Sequence, residues 1–257
     1  MSKRNTQQRR HIIITEVNTH GEVSVEALAK RFDISEVTIR KDLAALEKSG
    51  LLLRRYGGAV PLPQEITDAK ESKVSVQKKS IAQQAATLIK DHYRVVIDSG
   101  RTTSTIIEHL SDKRGLVVMT NSLAIASRLH ELESEPTILM TGGTWDPTSE
   151  SFQGQIAEQV LRSYDFDQLF IGADGIDVAR GTTTFNELIG LSRVMAEVAR
   201  EVIVVVESEK IGRKIPNLEL GWQHIDTLIT DDLLEASVKQ LIEQQGVNVV
   251  TASLSET

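Results

Sequence analysis

The sequence of 257 residues predicts two domains of different fold class. Residues 1–60 contain amphipathic helical segments, a tight break and a glycine-containing hairpin, a pattern that predicts a small helical domain with a two-stranded flap. From Lys78 onward, short apolar runs alternate with helical segments, which predicts a larger, doubly wound, mostly parallel α/β domain at residues 78–257. Two prolines within three residues interrupt regular structure between the domains, so we expect residues 61–77 to form a linker.

The small domain has the order of elements of a winged helix-turn-helix. The break falls at residues 33–35, and Ser35 is suited to cap the longer helix that follows it. Along that helix Ile39, Leu43 and Leu46 form one apolar stripe, which we expect to face a small core. The predicted wing is the hairpin that follows, and it bends at glycines.

The side of the long helix opposite this stripe carries basic and hydroxyl-bearing residues. Such a face is suited to the major groove, where arginine and lysine meet phosphates or guanine edges and threonine meets bases or backbone. The wing adds two cations and an aromatic ring. A solvated charged face is the alternative interpretation. The residues predicted to bind DNA are Ser35, Val37, Thr38, Arg40, Lys41, Arg54, Arg55, Tyr56 and Gly57.

Composition and charge limit the class of protein. The net charge is −7, but residues 1–60 carry eleven basic and seven acidic side chains, against eighteen and twenty-nine in the remainder. A weakly basic head on an acidic body is typical of a sequence-specific DNA-binding protein, although a chance asymmetry gives the same count. The absence of cysteine excludes disulfides and thiolate metal sites. Because no apolar run has the length of a signal peptide or a membrane span, we expect a cytoplasmic protein.

Seven short apolar runs are predicted as strands of the large domain. They are continuous rather than alternating, as expected when helices cover both faces of a sheet. Six helical segments precede or separate them, one of them from about Asn186 to Arg200. The runs are RVVID, LVVMT, TILMT, DQLFIGA, EVIVVVE, HIDTLIT and VNVVT.

The segments that follow these strands predict a ligand-binding edge, because an open parallel sheet binds ligands beyond the carboxyl ends of its strands. Glycines let the backbone approach a ligand, and helix N-termini attract anions. We interpret the edge as a site for an anionic polar molecule, most simply a phosphorylated sugar, with Arg101 and Lys210 as cations. Each loop alone is also explained as a turn or a cap, and only their convergence favours a site. The predicted ligand-binding residues are Asp98, Ser99, Gly100, Arg101, Thr102, Thr103, Thr120, Asn121, Ser122, Gly142, Gly143, Asp174, Gly175, Asp177, Thr183, Thr184, Glu187 and Lys210.

Both parts of the chain resemble one family, the DeoR family of bacterial repressors. Its N-terminal signature is matched by Arg9, Ile13, Val17, Ser35, Thr38 and the run at 39–43. The blocks DSGRTT, TNS, TGG, GADGID and GTTTFNE resemble its sensor domain, which is similar to ribose-phosphate isomerase-type phosphosugar-binding folds. The blocks look most like those of regulators of amino-sugar and polyol operons (N-acetylgalactosamine, galactitol, glucitol). Arg101 departs from the family pattern, which usually has serine or threonine there.

The resemblance implies a transcriptional repressor of a carbohydrate catabolic operon. Its implied partners are double-stranded operator DNA, a sugar-phosphate effector and further copies of the chain, as a dimer or tetramer, because operators are usually paired half-sites. No phosphate loop, dinucleotide fingerprint or metal-ligand spacing occurs among the residues, so neither a cofactor nor a metal is expected.

An enzyme is the alternative. In a sugar-phosphate isomerase-like protein with a DNA-binding head, Asp174, Asp177 and Glu187 would supply acid and base groups, and Lys210 would stabilise an enediolate. Against this reading, the catalytic lysine and the glycine-rich segment of the isomerase block have no clear counterpart. We therefore expect a regulator without catalytic residues.

Overall fold

The chain forms two compact units, Met1–Lys73 and Val74–Thr257, and each unit has its own core. In the described parts of the chain, no helix is both long and apolar enough to cross a membrane. The computed structural model describes residues 9–10, 12–13, 16–17, 21–48, 52–61, 74–147, 149–184, 189–213, 215 and 217–253.

The first unit contains the predicted helix, break, helix and wing. Its elements are β1 Val23–Ser24, α1 Val25–Phe32, α2 Glu36–Lys48, β2 Leu53–Arg55 and β3 Gly58–Val60. The wing differs from the expected two-stranded flap because β1 pairs with β3, giving a three-stranded sheet in the order β1-β3-β2. A strand of two residues is too short to show any alternation, so only its pairing with a distant segment identifies it.

The core of the first unit confirms the predicted apolar stripe. The described residues between Arg9 and Val17 are helical, and they pack on the other helices. A buried ion pair, Arg9 Nε to Asp42 Oδ2 at 2.6 Å, joins this segment to α2. Burial of the stripe against this segment fixes which side of α2 remains exposed. The buried stripe residues are Ile39, Leu43 and Leu46.

The second unit is an α/β sandwich with two small additional sheets. The Ile107–His109 3₁₀ turn extends the helix Arg101–Ile106, and another 3₁₀ turn at Ser208–Lys210 follows the strand Ala199–Val205. In chain order the elements are α3 Val76–Leu88, β4 Arg94–Ile97, α4 Arg101–Ile106, β5 Val117–Thr120, α5 Leu123–His130, β6 Thr137–Met140, β7 Thr144–Asp146, β8 Ser151–Gln153, α6 Gln155–Leu161, β9 Phe166–Ile171, β10 Gly175–Asp177, β11 Gly181–Thr184, α7 Gly190–Glu197, β12 Ala199–Val205, β13 Asn217–Gly221, β14 Thr227–Asp231, α8 Ala236–Glu243 and β15 Asn248–Ala252.

The seven predicted strands form one sheet, and all of its ladders are parallel. The strand order is β15-β14-β12-β9-β4-β5-β6, so the chain reverses its direction of travel between β4 and β9. Val95 and Ile97 pack in one core with α3, α4 and α5, whereas Val96 packs in the other core with α6, α7 and α8. The sheet is therefore doubly wound, as predicted, and the gap between β4 and β9 is its topological switch point.

Two small sheets form from segments that were not predicted as strands. β10, β11 and β13 form a small antiparallel sheet, and β7 pairs with β8 as a hairpin. Three consecutive threonines in β11 favour a strand, but their partner β13 lies more than thirty residues later, and local patterning does not reveal such pairing. Within the region expected as one helix, from about Asn186 to Arg200, α7 spans Gly190–Glu197. β12 begins at Ala199, because its first residues pair with β9.

Candidate functional site

One side of α2 and the wing form an exposed polar surface, which we call the α2–wing surface (Ser35, Val37, Thr38, Arg40, Lys41 and 54–57). Val37, Arg40 and Lys41 are exposed, and Thr38 is half-buried. The Ser35 Oγ accepts a hydrogen bond from the Thr38 backbone N–H at 3.3 Å and lies 2.9 Å from Thr38 Oγ1. The N-terminus of α2 is thus capped as expected, and both hydroxyls are positioned by the cap.

Each arginine of the α2–wing surface is in contact with a glutamate of the same unit. Such exposed ion pairs contribute little stability, so a phosphate can replace the glutamate without a large penalty. Lys41 has no ion-pair partner among the described residues. The pairs are Arg40 with Glu36 at 2.5 Å, Arg54 with Glu47 at 3.1 Å, and Arg55 with Glu22.

The tip of the wing is shaped by two glycines. Tyr56 is fully exposed, and Gly57 has a φ of +79°, a conformation that residues with a Cβ rarely adopt. A Cβ on Gly58 would lie 2.1 Å from the backbone oxygen of Val23, so only glycine lets β3 approach β1 this closely. These glycines hold Arg55 and Tyr56 at the end of the hairpin.

At the topological switch point, the segment after β4 is joined to the segment after β5. The Asn121 Nδ2 donates to Asp98 Oδ1 at 2.8 Å, and the Ser99 N–H donates to Asn121 Oδ1 at 2.9 Å. Burial raises the pKa of Asp98 to about 6, although the hydrogen bonds from Asn121 and Ser99 oppose this shift. The Asp98 N–H donates to the backbone oxygen of Phe170 at 3.0 Å, which joins this segment to β9. The negative charge of Asp174 raises the Asp98 pKa further.

Asp174 is held from the neighbouring small sheet. The Thr184 Oγ1 donates to Asp174 Oδ2 at 2.7 Å. Lys210 is buried, and its Nζ donates to the backbone oxygen of Ala173 at 3.0 Å, one residue before Asp174. An ammonium group and two carboxyl groups therefore surround the carboxyl ends of β4 and β9, and we call this region the switch-point edge.

Glu219, on β13, is a member of the switch-point edge that the sequence did not predict. Burial raises its pKa to about 7, and the charges of Asp98 and Asp174 contribute to the shift. The Ser192 Oγ donates to Glu219 Oε1 at 2.7 Å and thereby opposes the shift. The sequence signal was a glutamate between two leucines in the run NLELG, but its proximity to the switch point depends on pairing between β11 and β13.

Other predicted residues shape the loops around this edge. The Thr120 Oγ1 accepts from the Ser122 N–H at 3.1 Å, and Ser122 caps α5. Gly143 is required because a Cβ there would lie 2.5 Å from the backbone oxygen of Gln153. Thr102 and Thr103 are buried in α4, where the Thr103 Oγ1 donates to the backbone oxygen of Gly100 at 3.0 Å. In the segment after β6, Gly142 adopts a φ of +61°.

Several predicted residues lie apart from the cluster. Asp177 is at the other end of β10 from Asp174, where Arg180 donates a hydrogen bond to it at 2.7 Å and lowers its pKa. Thr183 lies opposite Gly175 in the β10–β11 ladder, and its buried Oγ1 has no partner among the described atoms. Arg101 is half-buried at the first turn of α4. Glu187 lies outside the described residues.

Comparison with known proteins shows which protein family has this architecture. The chain matches the DeoR-like helix-turn-helix domain at residues 9–65 and the DeoR C terminal sensor domain at residues 73–232. The chain belongs to the DeoR family. This DeoR-family chain is 38% identical over 252 residues to a putative aga operon transcriptional repressor of Escherichia coli O157:H7, covering 95% of the chain and 93% of that protein.

Further similarities concern a second regulator and a solved structure. The HTH-type transcriptional regulator GlpR of Haloferax volcanii is 33% identical over 248 residues, covering 95% of the chain and 96% of that protein. A ribose 5-phosphate isomerase A from Methanocaldococcus jannaschii is 17% identical with a TM-score of 0.37, covering 52% of the chain and 53% of that structure. The predicted family and its DNA-binding helix-turn-helix are confirmed.

Proposed function

We propose that this DeoR-family regulator represses a carbohydrate catabolic operon, for an amino sugar or a polyol, and that a phosphorylated sugar at the switch-point edge controls its operator binding. One observation carries the proposal: Asp98, Asp174 and Lys210 lie at the carboxyl ends of β4 and β9, where an open parallel sheet binds ligands. Carboxyl groups suit the hydroxyls of a sugar, and an ammonium group suits a phosphate. The Escherichia coli relative is named a putative aga operon transcriptional repressor, which supports repression of an operon.

For operator binding, we propose that α2 lies in the major groove and that the wing contacts the backbone. Arg40 and Lys41 would meet base edges or phosphates, and the arginines of the wing would meet phosphates. The hydroxyls of Ser35 and Thr38 complete this contact at the start of α2. The exposed position of the α2–wing surface supports this assignment, since its apolar side is used by the core.

We propose further that the active form is a homo-oligomer, at least a dimer. Helix-turn-helix proteins usually read two half-sites related by the symmetry of the protein, so one head supplies only half of the contacts. Light scattering at micromolar concentration checks this, and a monomer under all conditions that support operator binding would contradict it.

The effector proposal is tested by a ligand screen followed by an operator titration. Galactosamine 6-phosphate, N-acetylgalactosamine 6-phosphate, galactitol 1-phosphate and glucitol 6-phosphate are compared with the same compounds without phosphate in a thermal-shift assay. At least one phosphorylated compound is expected to raise the Tm of the chain and to change operator affinity by about 5- to 150-fold. Unchanged operator affinity with every compound rejects effector control, and interconversion of ketose and aldose in the same mixtures would instead favour the isomerase.

A further inference from the structure

A buried polar cluster joins the start of α3 to the end of β12. The Ser75 Oγ donates to Glu207 Oε1 at 2.7 Å, and the Lys78 Nζ lies 3.1 Å from Glu207 Oε2. The side chains of Lys78 and Glu207 are only 11% and 8% exposed. The same Ser75 Oγ also accepts from the Lys78 N–H, which makes Ser75 the N-cap of α3. Both oxygens of a single carboxylate thus hold the first turn of this helix.

The backbone that carries this carboxylate leads directly to the switch-point edge. Glu207 is followed by the 3₁₀ turn Ser208–Lys210, and the Lys210 N–H donates to the Glu207 backbone oxygen at 3.0 Å. The Ser208 N–H and Oγ both donate to Asp231, at 2.8 and 2.6 Å, so the turn is also fixed from β14. At its far end the Lys210 Nζ donates to the backbone oxygen of Ala173. Contacts therefore run without a break from α3 to the segment that carries Asp174.

The other end of the cluster lies at the start of the second unit, next in sequence to residues 61–73, which we call the connector. Ser75 lies at the beginning of the second unit, directly after the segment that links the second unit in sequence to the first, which we call the DNA-reading unit. Burial of an ion pair contributes little net stability compared with apolar side chains of similar size. The stability of the folded chain therefore does not explain why three polar groups are placed at the start of α3. A polar contact of this kind, unlike an apolar one, has discrete hydrogen-bonding arrangements. Movement of a neighbouring segment can switch the contact from one arrangement to another.

We propose that Ser75, Lys78 and Glu207 are positioning residues that transmit the state of the Lys210 turn to the connector. This role rests on the proposed effector site. An anionic group that draws the Lys210 Nζ away from Ala173 would move the 3₁₀ turn. The Glu207 carboxylate, three residues earlier, would then change its contacts with the first turn of α3. The connector is attached to that turn, so the ligand state reaches the DNA-reading unit through one carboxylate.

Hydrogen exchange on the full chain tests the link without any ligand. Ser75→Ala is expected to speed exchange of the amides at residues 208–211 roughly five-fold, the size of effect that loss of one capping hydrogen bond produces. Reciprocally, Lys210→Met is expected to speed exchange at Val76–Lys79. Ser75→Thr, which keeps the hydroxyl, is expected to restore the parent rates. Faster exchange confined to the mutated element, in both variants, would overturn the proposal.

Operator titrations then test transmission. The variant Lys78→Gln with Glu207→Gln removes both charges together, so no unpaired buried charge is left behind. Its matched control is Lys239→Gln with Glu243→Gln, a more exposed pair 3.8 Å apart on α8, with side chains 33% and 43% exposed. With the sugar phosphate that gives the largest thermal shift, the double variant is expected to keep the thermal shift and lose at least three-quarters of the fold-change in operator affinity, while the control keeps both.

The outcomes separate this inference from the proposed function. A parent chain whose operator affinity responds to no sugar phosphate rejects effector control, and the exchange experiment still decides whether the turn and the helix are linked. A responsive parent whose double variant responds equally well rejects the link alone. Loss of the thermal shift in the double variant would also count against it, because the cluster would then act on ligand binding itself.

Discussion

The raised pKa of Glu219 makes a quantitative prediction about stability. In the folded chain the pKa is about 7 instead of 4.5, so between these pH values the native state retains a proton that the unfolded chain has lost. Stability therefore falls as pH rises through this window and is lowest above pH 7, where the half-buried carboxylate is ionised. A pKa shift of this size corresponds to a change in the free energy of unfolding of at most about 3 kcal/mol.

Glu219→Gln removes the titrating proton and leaves a side chain of nearly the same shape. At pH 8 we expect the variant to be more stable than the parent by about 1–3 kcal/mol, which raises the Tm of a unit of this size by about 3–10 °C. At pH 5 the difference should fall below about 1 kcal/mol, because the folded carboxyl is neutral and this pH lies only slightly above the unfolded pKa of 4.5.

The measurement is thermal unfolding of parent and variant from pH 5 to pH 8. Asp177→Asn is the control of opposite sign, because Arg180 lowers the pKa of Asp177 and its charge is stabilising above its unfolded pKa. This control should lose a similar amount of stability at every pH from 5 to 8, because the parent's Asp177 becomes protonated only below its ordinary pKa of 3.8. A Glu219→Gln chain that is no more stable than the parent at pH 8 would refute the reasoning, since the carboxylate would then be solvated or paired.

Three further changes concern the DNA-reading unit. Arg40→Ala should weaken operator binding by about 1–3 kcal/mol in anisotropy titrations if Arg40 reads a base. An equal loss of affinity on every duplex, with a shallower salt dependence of the binding constant, identifies a phosphate contact. No loss of affinity on any duplex contradicts the placement of α2. Asp42→Asn should destabilise the unit by about 3–5 kcal/mol in denaturant unfolding, because a buried arginine loses its partner, and a loss below 1 kcal/mol would show the pair to be solvated. Gly58→Ala should lower operator affinity by displacing β3 from β1, at a cost of about 1–3 kcal/mol of stability; unchanged affinity and unfolding would mean that the wing does not depend on this contact.

The predicted elements that matched the structure share a physical basis. The stripe of Ile39, Leu43 and Leu46 and the seven apolar runs are local patterns whose burial is favourable in any compact fold. Capping by Ser35 is equally local, since the hydroxyl and the amide it accepts from are three residues apart. Strand–helix alternation also fixes the direction and handedness of the crossovers, so a parallel, doubly wound sheet follows from the sequence.

Features that depend on distant pairing were not predicted. β1 exists because Val23 pairs with Ala59, and Glu219 joins the switch-point edge because β13 pairs with β11. The separation of Asp177 from Asp174 has a local origin instead: both belong to one short block that was expected as a loop, and β10 places them at its two ends. No period or composition distinguishes these outcomes.

The sequence by itself determined that this chain joins a small cationic helix-turn-helix unit to an acidic α/β unit of the DeoR family, because hydrophobic period and residue signatures are written locally. Only the tertiary structure decided which carboxyl groups share the switch-point edge and which polar groups connect Lys210 to the first turn of α3. The physical reason is that burial and proximity set the pKa of Asp98 and Glu219, and both quantities arise from contacts between segments far apart along the chain.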